Sequence, residues 1–310
     1  MQYLGELISI GVAFSWTATA LLSEFGSKRM GNLTLNVMRM GIALLFSMVL
    51  FLVMTGSPLP ASASNEAYGW MLLSGLVGYV IGDYCLFQCY LIIGSRFGQL
   101  FMTLAPITAA IMAWFTLGQR IAGGAILAMV VTLAGIAITV LGRDDAHHGR
   151  LSLELPLNGV LFAIGAAVCQ GVGLVLSKIG MNHYEATLST PTAPWILPFF
   201  ANFFRCIAGL LGFALLMRFK EGYRSLSQNI TDRVSMGVAT LTTIFGPFVG
   251  VGCSLLAVQY CSAGIASTLM ALTPIIIIAP AHWLFGQRIS VKSVVGAVIS
   301  VVGVSLFFLL

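Results

Sequence analysis

The sequence predicts an all-α integral membrane protein whose ten transmembrane helices form two inverted five-helix repeats. Three observations lead there. Apolar residues make up 58% of the chain and charged residues 8%, against about 45–50% and about 25% in a soluble domain. Apolar runs of about 20 residues, the length that spans hydrocarbon, recur along the whole chain with short connections between them. The second half also repeats the first in register. A soluble chain of 310 residues must show water too much surface to hide that many apolar side chains, and lipid removes the requirement.

The runs place spans at roughly 3–25, 33–55, 67–92, 96–117, 121–141, 157–181, 195–219, 233–259, 262–286 and 290–310. Short connections make consecutive helices antiparallel neighbours. Longer loops are expected at Gly56–Glu66, at Gly142–Pro156 and at Phe219–Asp232, with a further one at Asn182–Pro194. The first run has no basic stretch before it and no A-x-A site after it, so it reads as a retained helix and not a signal peptide. The formal charge of +5 sits mostly in loops, with no basic stripe interleaved with aromatics, so nucleic acid is excluded as a partner. None of the six cysteines forms a C-x-x-C pair, and all read as small packing residues.

The repeat is visible in Leu104–Ile121 (LAPITAAIMAWFTLGQRI) and Leu272–Ile289 (LTPIIIIAPAHWLFGQRI), 168 residues apart. Both carry L-x-P-I and both end G-Q-R-I. The same offset pairs Gly78 with Gly246, Gly82 with Gly250, Cys85 with Cys253, Met102 with Met270 and Gly135 with Gly303. Upstream, Asn36-x-x-Arg39 matches Asn202-x-x-Arg205, and Leu22-Ser23 matches Leu176-Ser177. The chain therefore divides into two five-helix units, 1–150 and 151–310. Five is odd, so the second unit enters the membrane from the opposite side, an arrangement that recurs in secondary transporters.

These features resemble the EamA-type transporters of the drug/metabolite transporter superfamily. The resemblance rests on the two five-helix repeats, the arginine in the second helix of each, and L-x-P followed by G-x-R at the end of the fourth. That family usually has Glu before the last Arg, where this chain has Gln119 and Gln287. The resemblance implies a multi-pass protein of the cytoplasmic membrane, with a small-molecule substrate, surrounding lipid and no cofactor. It also implies cytoplasmic termini. The charges point the other way. Lys28, Arg29, Arg96, Arg143, Arg150, Arg218, Lys220, Arg224, Arg233, Arg288 and Lys292 follow odd-numbered spans, and only Arg120 follows an even one, which puts the termini outside.

Ionisable residues inside spans are costly, so they mark candidate sites. Asp83, in GYVIGDYCLFQCY with Tyr84 and Gln88 nearby, reads as a proton- or cation-coupling residue, or as an acid permanently paired with Arg39 or Lys178. Arg39 and Arg205 read either as clamps on a substrate carboxylate or phosphate or as helix-end anchors. Lys178 reads as a ligand or as a snorkelling side chain. Glu6 and Glu24 are close enough to helix ends to snorkel.

Gly75, Gly78 and Gly82 in the third helix and Gly246, Gly250 and Gly252 in the eighth read as close-packing positions. Pro106, Pro274 and Pro280 are expected to kink the fourth and ninth helices. Trp16, Trp114, Tyr79, Tyr84 and Phe87 are candidates for an apolar pocket. His147-His148 beside Asp144-Asp145 lacks metal-ligand spacing, and no phosphate-binding loop or H-E-x-x-H motif is present. These features point to a secondary transporter exporting a small metabolite, such as an amino acid or an amphipathic compound, with proton coupling left open. A lipid or glycolipid-headgroup flippase is the alternative on the same architecture, and an integral-membrane enzyme is disfavoured.

Overall fold

The computed structural model describes residues 4–118, 123–144, 150–153, 155–187, 196–220, 222–260, 269–270, 272–286 and 290–309. Lipid offers backbone groups no hydrogen bonds, so apolar stretches satisfy them internally as helices. The main elements are α1 (Leu4–Met30), α2 (Asn32–Thr55), α3 (residues 65–93), α4 (95–117), α5 (Gly123–Val140), α6 (Leu157–Thr187), α7 (Leu197–Lys220), α8 (233–260), α9 (Thr273–Phe285) and α10 (Val291–Leu309). α1 to α4 and α6 to α8 are each long and apolar enough to cross a membrane; α5, α9 and α10 carry shorter apolar stretches. The outer surface is apolar. Phe115 and Trp283, 168 residues apart, are 73% and 79% exposed, which suits them to lipid.

Local chemistry sets the helix ends. The Ser64 side chain accepts from the Ala67 amide at 3.1 Å and starts α3, and Asp232 accepts from the Ser235 amide at 2.9 Å and starts α8. The glycine of each G-Q-R-I motif ends its helix in the left-handed conformation, Gly118 at φ 63° and Gly286 at φ 64°. An L-side chain is strained there, which accounts for glycine at both positions. The rest of both motifs, Gln119 to Ile121 and Gln287 to Ile289, lies outside the described residues, as does His147-His148.

Three expected loops carry more structure than anticipated. Within Gly142–Pro156, strands β1 (Leu141–Asp144) and β2 (Arg150–Leu153) pair antiparallel. Phe219–Asp232 contains a short helix, Arg224–Thr231, tied to the start of α2 by the Thr34 hydroxyl, which donates to Ser225 Oγ at 2.9 Å. α6 runs on through Asn182 to Thr187 because buried Tyr184 anchors it: the Tyr184 hydroxyl donates to the Ala61 carbonyl.

The helices pair across the two halves. α2 packs on α7 and α5 on α10, while α1 packs on α8 as α6 packs on α3, and α9 packs on α1 as α4 packs on α6. The α5–α10 crossing is reciprocal in detail. A Cβ on Gly135 would lie 2.4 Å from the Ser300 amide nitrogen, and one on Gly303 would lie 2.4 Å from that of Thr132. Ser300 Oγ donates to the Thr132 carbonyl at 3.4 Å. Each residue thus meets the repeat counterpart of the other's neighbour.

Candidate functional site

α3 and α8 share a defect. α3 opens into a π turn at Leu76–Asp83 and α8 at Ile244–Phe248, with first residues 168 apart. A π turn leaves carbonyls without their usual helical donors and often lies at a functional site. Here side chains from neighbouring helices supply the donors. Gln170 Nε2 donates to the Gly78 carbonyl at 3.2 Å, Ser15 Oγ to that of Phe245 at 2.7 Å and Asn202 Nδ2 to that of Pro247 at 3.0 Å. Pro247 also removes a backbone donor inside its turn.

Beside the α3 turn, a polar chain crosses three helices. On α2, Asn32, Asn36 and Arg39 are spaced to share one face. Asn32 Nδ2 donates to the Tyr84 carbonyl at 2.9 Å, Asn36 Nδ2 to Asn32 Oδ1 at 2.7 Å, and Arg39 Nη1 to Asn36 Oδ1 at 3.3 Å. Arg39 Nη2 then binds Asp83 Oδ2 at 2.9 Å, and Asp83 Oδ1 accepts from Gln170 Nε2 of α6 at 2.8 Å. The guanidinium also lies 4.8 Å from the centroid of the Phe87 ring. Both charges are buried. Removing one partner of such a pair costs about 3–5 kcal/mol, because the other charge stays desolvated.

The corresponding residues of α7 are arranged differently. Tyr79 Oη donates to Asn202 Oδ1 at 2.5 Å, and the Arg205 guanidinium lies 4.8 Å from the Tyr79 ring centroid. Arg205 is 9% exposed. It forms no ion pair among the described residues; its Nε, like that of Arg39, has no acceptor. The position 168 residues beyond Asp83 is Val251, so the second half has the cation without the acid.

The glycines fit this frame with one correction. The third-helix and eighth-helix sets do not line up against each other; all pack on a helix of the opposite half except Gly252, which meets Phe199 of α7. A Cβ on Gly78 would sit 3.8 Å from Gly173 Cα and one on Gly82 3.3 Å from Cys169 Cβ, both on α6. One on Gly246 would sit 3.0 Å from Thr19 and one on Gly250 3.1 Å from Trp16 Nε1, both on α1. Of these four only Gly78 lies against a neighbouring backbone; the others lie against side chains. Gly75 abuts the backbone of Arg205, with a Cβ position 2.5 Å from its carbonyl oxygen.

Other sequence expectations resolve individually. Lys178 is exposed and not among Asp83's partners. Glu24 does not snorkel: it is 1% exposed, binding Lys28 Nζ at 2.5 Å and accepting from the Ser95 amide at 2.6 Å. Tyr84 turns its hydroxyl to Lys220 at 2.8 Å. Gln88 is half-buried without a hydrogen-bond partner among the described residues.

Trp114 is 50% exposed and packs on Phe115, while Tyr79 and Phe87 back the two arginines and do not form an apolar pocket. Pro106 and Pro274 each open a new helical segment, Ala105–Leu117 after a tight Met102–Leu104 turn and Thr273–Ile276 respectively. Sequence reasoning missed Gln170, Pro247 and the amide roles of Asn36 and Asn202. The paired N-x-x-R spacing was the signal available for the two asparagines.

Comparison with known proteins places the chain. The EamA-like transporter family matches residues 3–141 and 157–309. An "Uncharacterized transporter" of Clostridium kluyveri is 28% identical over 237 residues, covering 76% of this chain and 70% of that protein. A solved crystal structure shares the fold over 99% of this chain and 96% of its own, with a TM-score of 0.60 at 15% identity. Both halves are matched and the long apolar helices are those of a multi-pass membrane protein, so the chain belongs to the EamA-like transporter family.

Proposed function

We propose that the protein is a secondary transporter of ten membrane-spanning helices, built as two inverted five-helix units, 1–150 and 151–310. It exports a small metabolite across the cytoplasmic membrane by alternating access. The observation that best supports this is the exchange of neighbours between halves: α1 on α8 answers α6 on α3, and Gly135 on Ser300 answers Gly303 on Thr132. A half-turn axis in the membrane plane generates that pattern. Two similar units of opposite orientation can trade conformations, which opens a central site first to one side and then to the other.

In this reading the buried cluster of Arg39, Asp83 and Arg205 is the central site in a closed state. Asp83 is the coupling residue. Its two oxygens are held by Arg39 on α2 and Gln170 on α6, so displacement of either helix against α3 frees the carboxylate to take a proton. The π turn that ends at Asp83 supplies a place where the helix can change register.

The test is flux of a solute panel in proteoliposomes, with and without a pH gradient. Wild type is compared with the double variant Asp83→Asn/Arg39→Gln, which removes both charges and leaves no orphan. Saturable flux driven by the gradient in wild type and indifferent to it in the variant is the expected result. Gradient-driven flux that persists in the variant would remove the coupling role. Absence of flux for every solute would remove the transport reading.

A further inference from the structure

The buried charges do not balance. Among the described residues the buried carboxylates are Glu24 and Asp83, and the buried guanidiniums are Arg39, Arg96 and Arg205. Glu24 is taken by Lys28 and the Ser95 amide, and Asp83 by Arg39 and Gln170. Arg205 is left with one face against Tyr79. The Tyr79 hydroxyl is already bound to Asn202, and Asn202 in turn to the Pro247 carbonyl. A ring face attracts a cation far less than a carboxylate does when both are out of water. Asp83 is the buried acid near Arg205, but both its oxygens are already bound, so Arg205 acts on it only at a distance. A desolvated guanidinium with no anion of its own in direct contact is a group whose partner comes from elsewhere.

The other half supplies the reference. Arg39 has the same place in its repeat and is neutralised by Asp83 at 2.9 Å; the position equivalent to Asp83 is Val251. We propose that Arg205 is the counter-ion for an oxyanion on the transported solute, a carboxylate or a phosphate. That group docks beside Tyr79 and completes in the second half the ion pair that Asp83 completes in the first. The inference rests on the transport reading and names the substrate class. The guanidinium fork matches two oxygens of one oxyanion. Gly78 keeps its edge clear, since a Cβ there would stand 3.2 Å from Arg205 Nη2.

The test uses the full chain, in detergent for melting and in proteoliposomes for flux. Succinate and glycerol 3-phosphate are the anionic probes, distinguishing carboxylate from phosphate; glycerol is the neutral probe and lysinamide the cationic one. At least one anion is expected to raise the melting temperature of wild type and to be transported. Arg205→Gln should abolish that shift and cut anion flux at least tenfold, with its own melting temperature no lower than wild type's without solute. Arg205→Lys should keep part of the response. If Arg205→Gln melts lower without solute and responds to the anions as wild type does, Arg205 is a structural residue and the inference fails. It also fails if neither anion stabilises wild type, or if flux is confined to glycerol or lysinamide; in the last case transport itself stands. Anion stabilisation without flux of any probe supports the site and counts against transport.

Discussion

Arg39 and Arg205 occupy equivalent places in the two halves and live in different electrostatic surroundings. Arg39 sits in a network that joins Asn36, Asp83 and Gln170 across α2, α3 and α6 and gives it a direct carboxylate partner. Arg205 has Tyr79 and, among the described residues, no carboxylate in direct contact. Around them the scaffold is repeated closely: both third-position helices carry π turns, and both G-Q-R-I glycines cap helices at nearly the same φ. Backbone architecture thus repeats where packing requires it, and the halves part at the residues that carry charge. In the proposed transport reading that is the expected place for function, because a site that binds one solute at a time has no need of two-fold chemistry.

The sharpest way to break this contrast is at Asp83. Asp83→Asn leaves Arg39 buried without its anion and is expected to destabilise the protein by about 3–5 kcal/mol, seen as a lower melting temperature and a reduced yield of monodisperse protein. Adding Arg39→Gln should recover most of the loss. A single variant that melts like wild type would mean that water or another group already neutralises Arg39.

A smaller effect tests the shared scaffold. Gly135→Ala and Gly303→Ala each press a methyl against the facing backbone and should each cost about 1–3 kcal/mol, the range for overpacking. Their effects should be similar, since the contacts are reciprocal. A large cost at one position and none at the other would show that the crossing is not two-fold.

The smallest effect lies at the membrane surface. Asp232 joins the end of α1 to the start of α8 through Arg29 at 2.9 Å. Hydrogen bonds from Ser235, then Arg29, hold its carboxyl below the ordinary value of 3.8. A depressed acid stabilises the fold above its unfolded pKa and loses that contribution as pH falls below about 4. The melting temperature of Asp232→Asn should therefore depend less on pH than that of wild type below about pH 4. The difference at neutral pH should be modest, since Asn caps a helix as well as Asp. Identical acid profiles would remove Asp232 from the account.

Much of this architecture was legible because membrane helices announce themselves by length and apolarity, and because no insertion disturbs the 168-residue offset between α3 and α5. Asp83 was legible because an ionisable group in an apolar run is costly. Its partner was narrowed to Arg39 or Lys178, and distance decided. Gln170 was not singled out and Asn202 entered only through the N-x-x-R repeat, because uncharged amides reveal their role only by what they touch. The π turns have no periodicity of their own, and Pro247 and the glycines hinted at them only weakly. Glu24 looked like a snorkelling side chain because depth along a helix says nothing about a neighbouring helix start, here Ser95.

The contrast between the arginines is tested most directly by melting Arg39→Gln and Arg205→Gln side by side, without added solute. The account predicts a clear fall for Arg39→Gln, which orphans Asp83, and an unchanged or higher melting temperature for Arg205→Gln, which removes an uncompensated buried charge. Equal falls in the two variants would contradict it, for then Arg205 would be as firmly neutralised within the protein as Arg39 is.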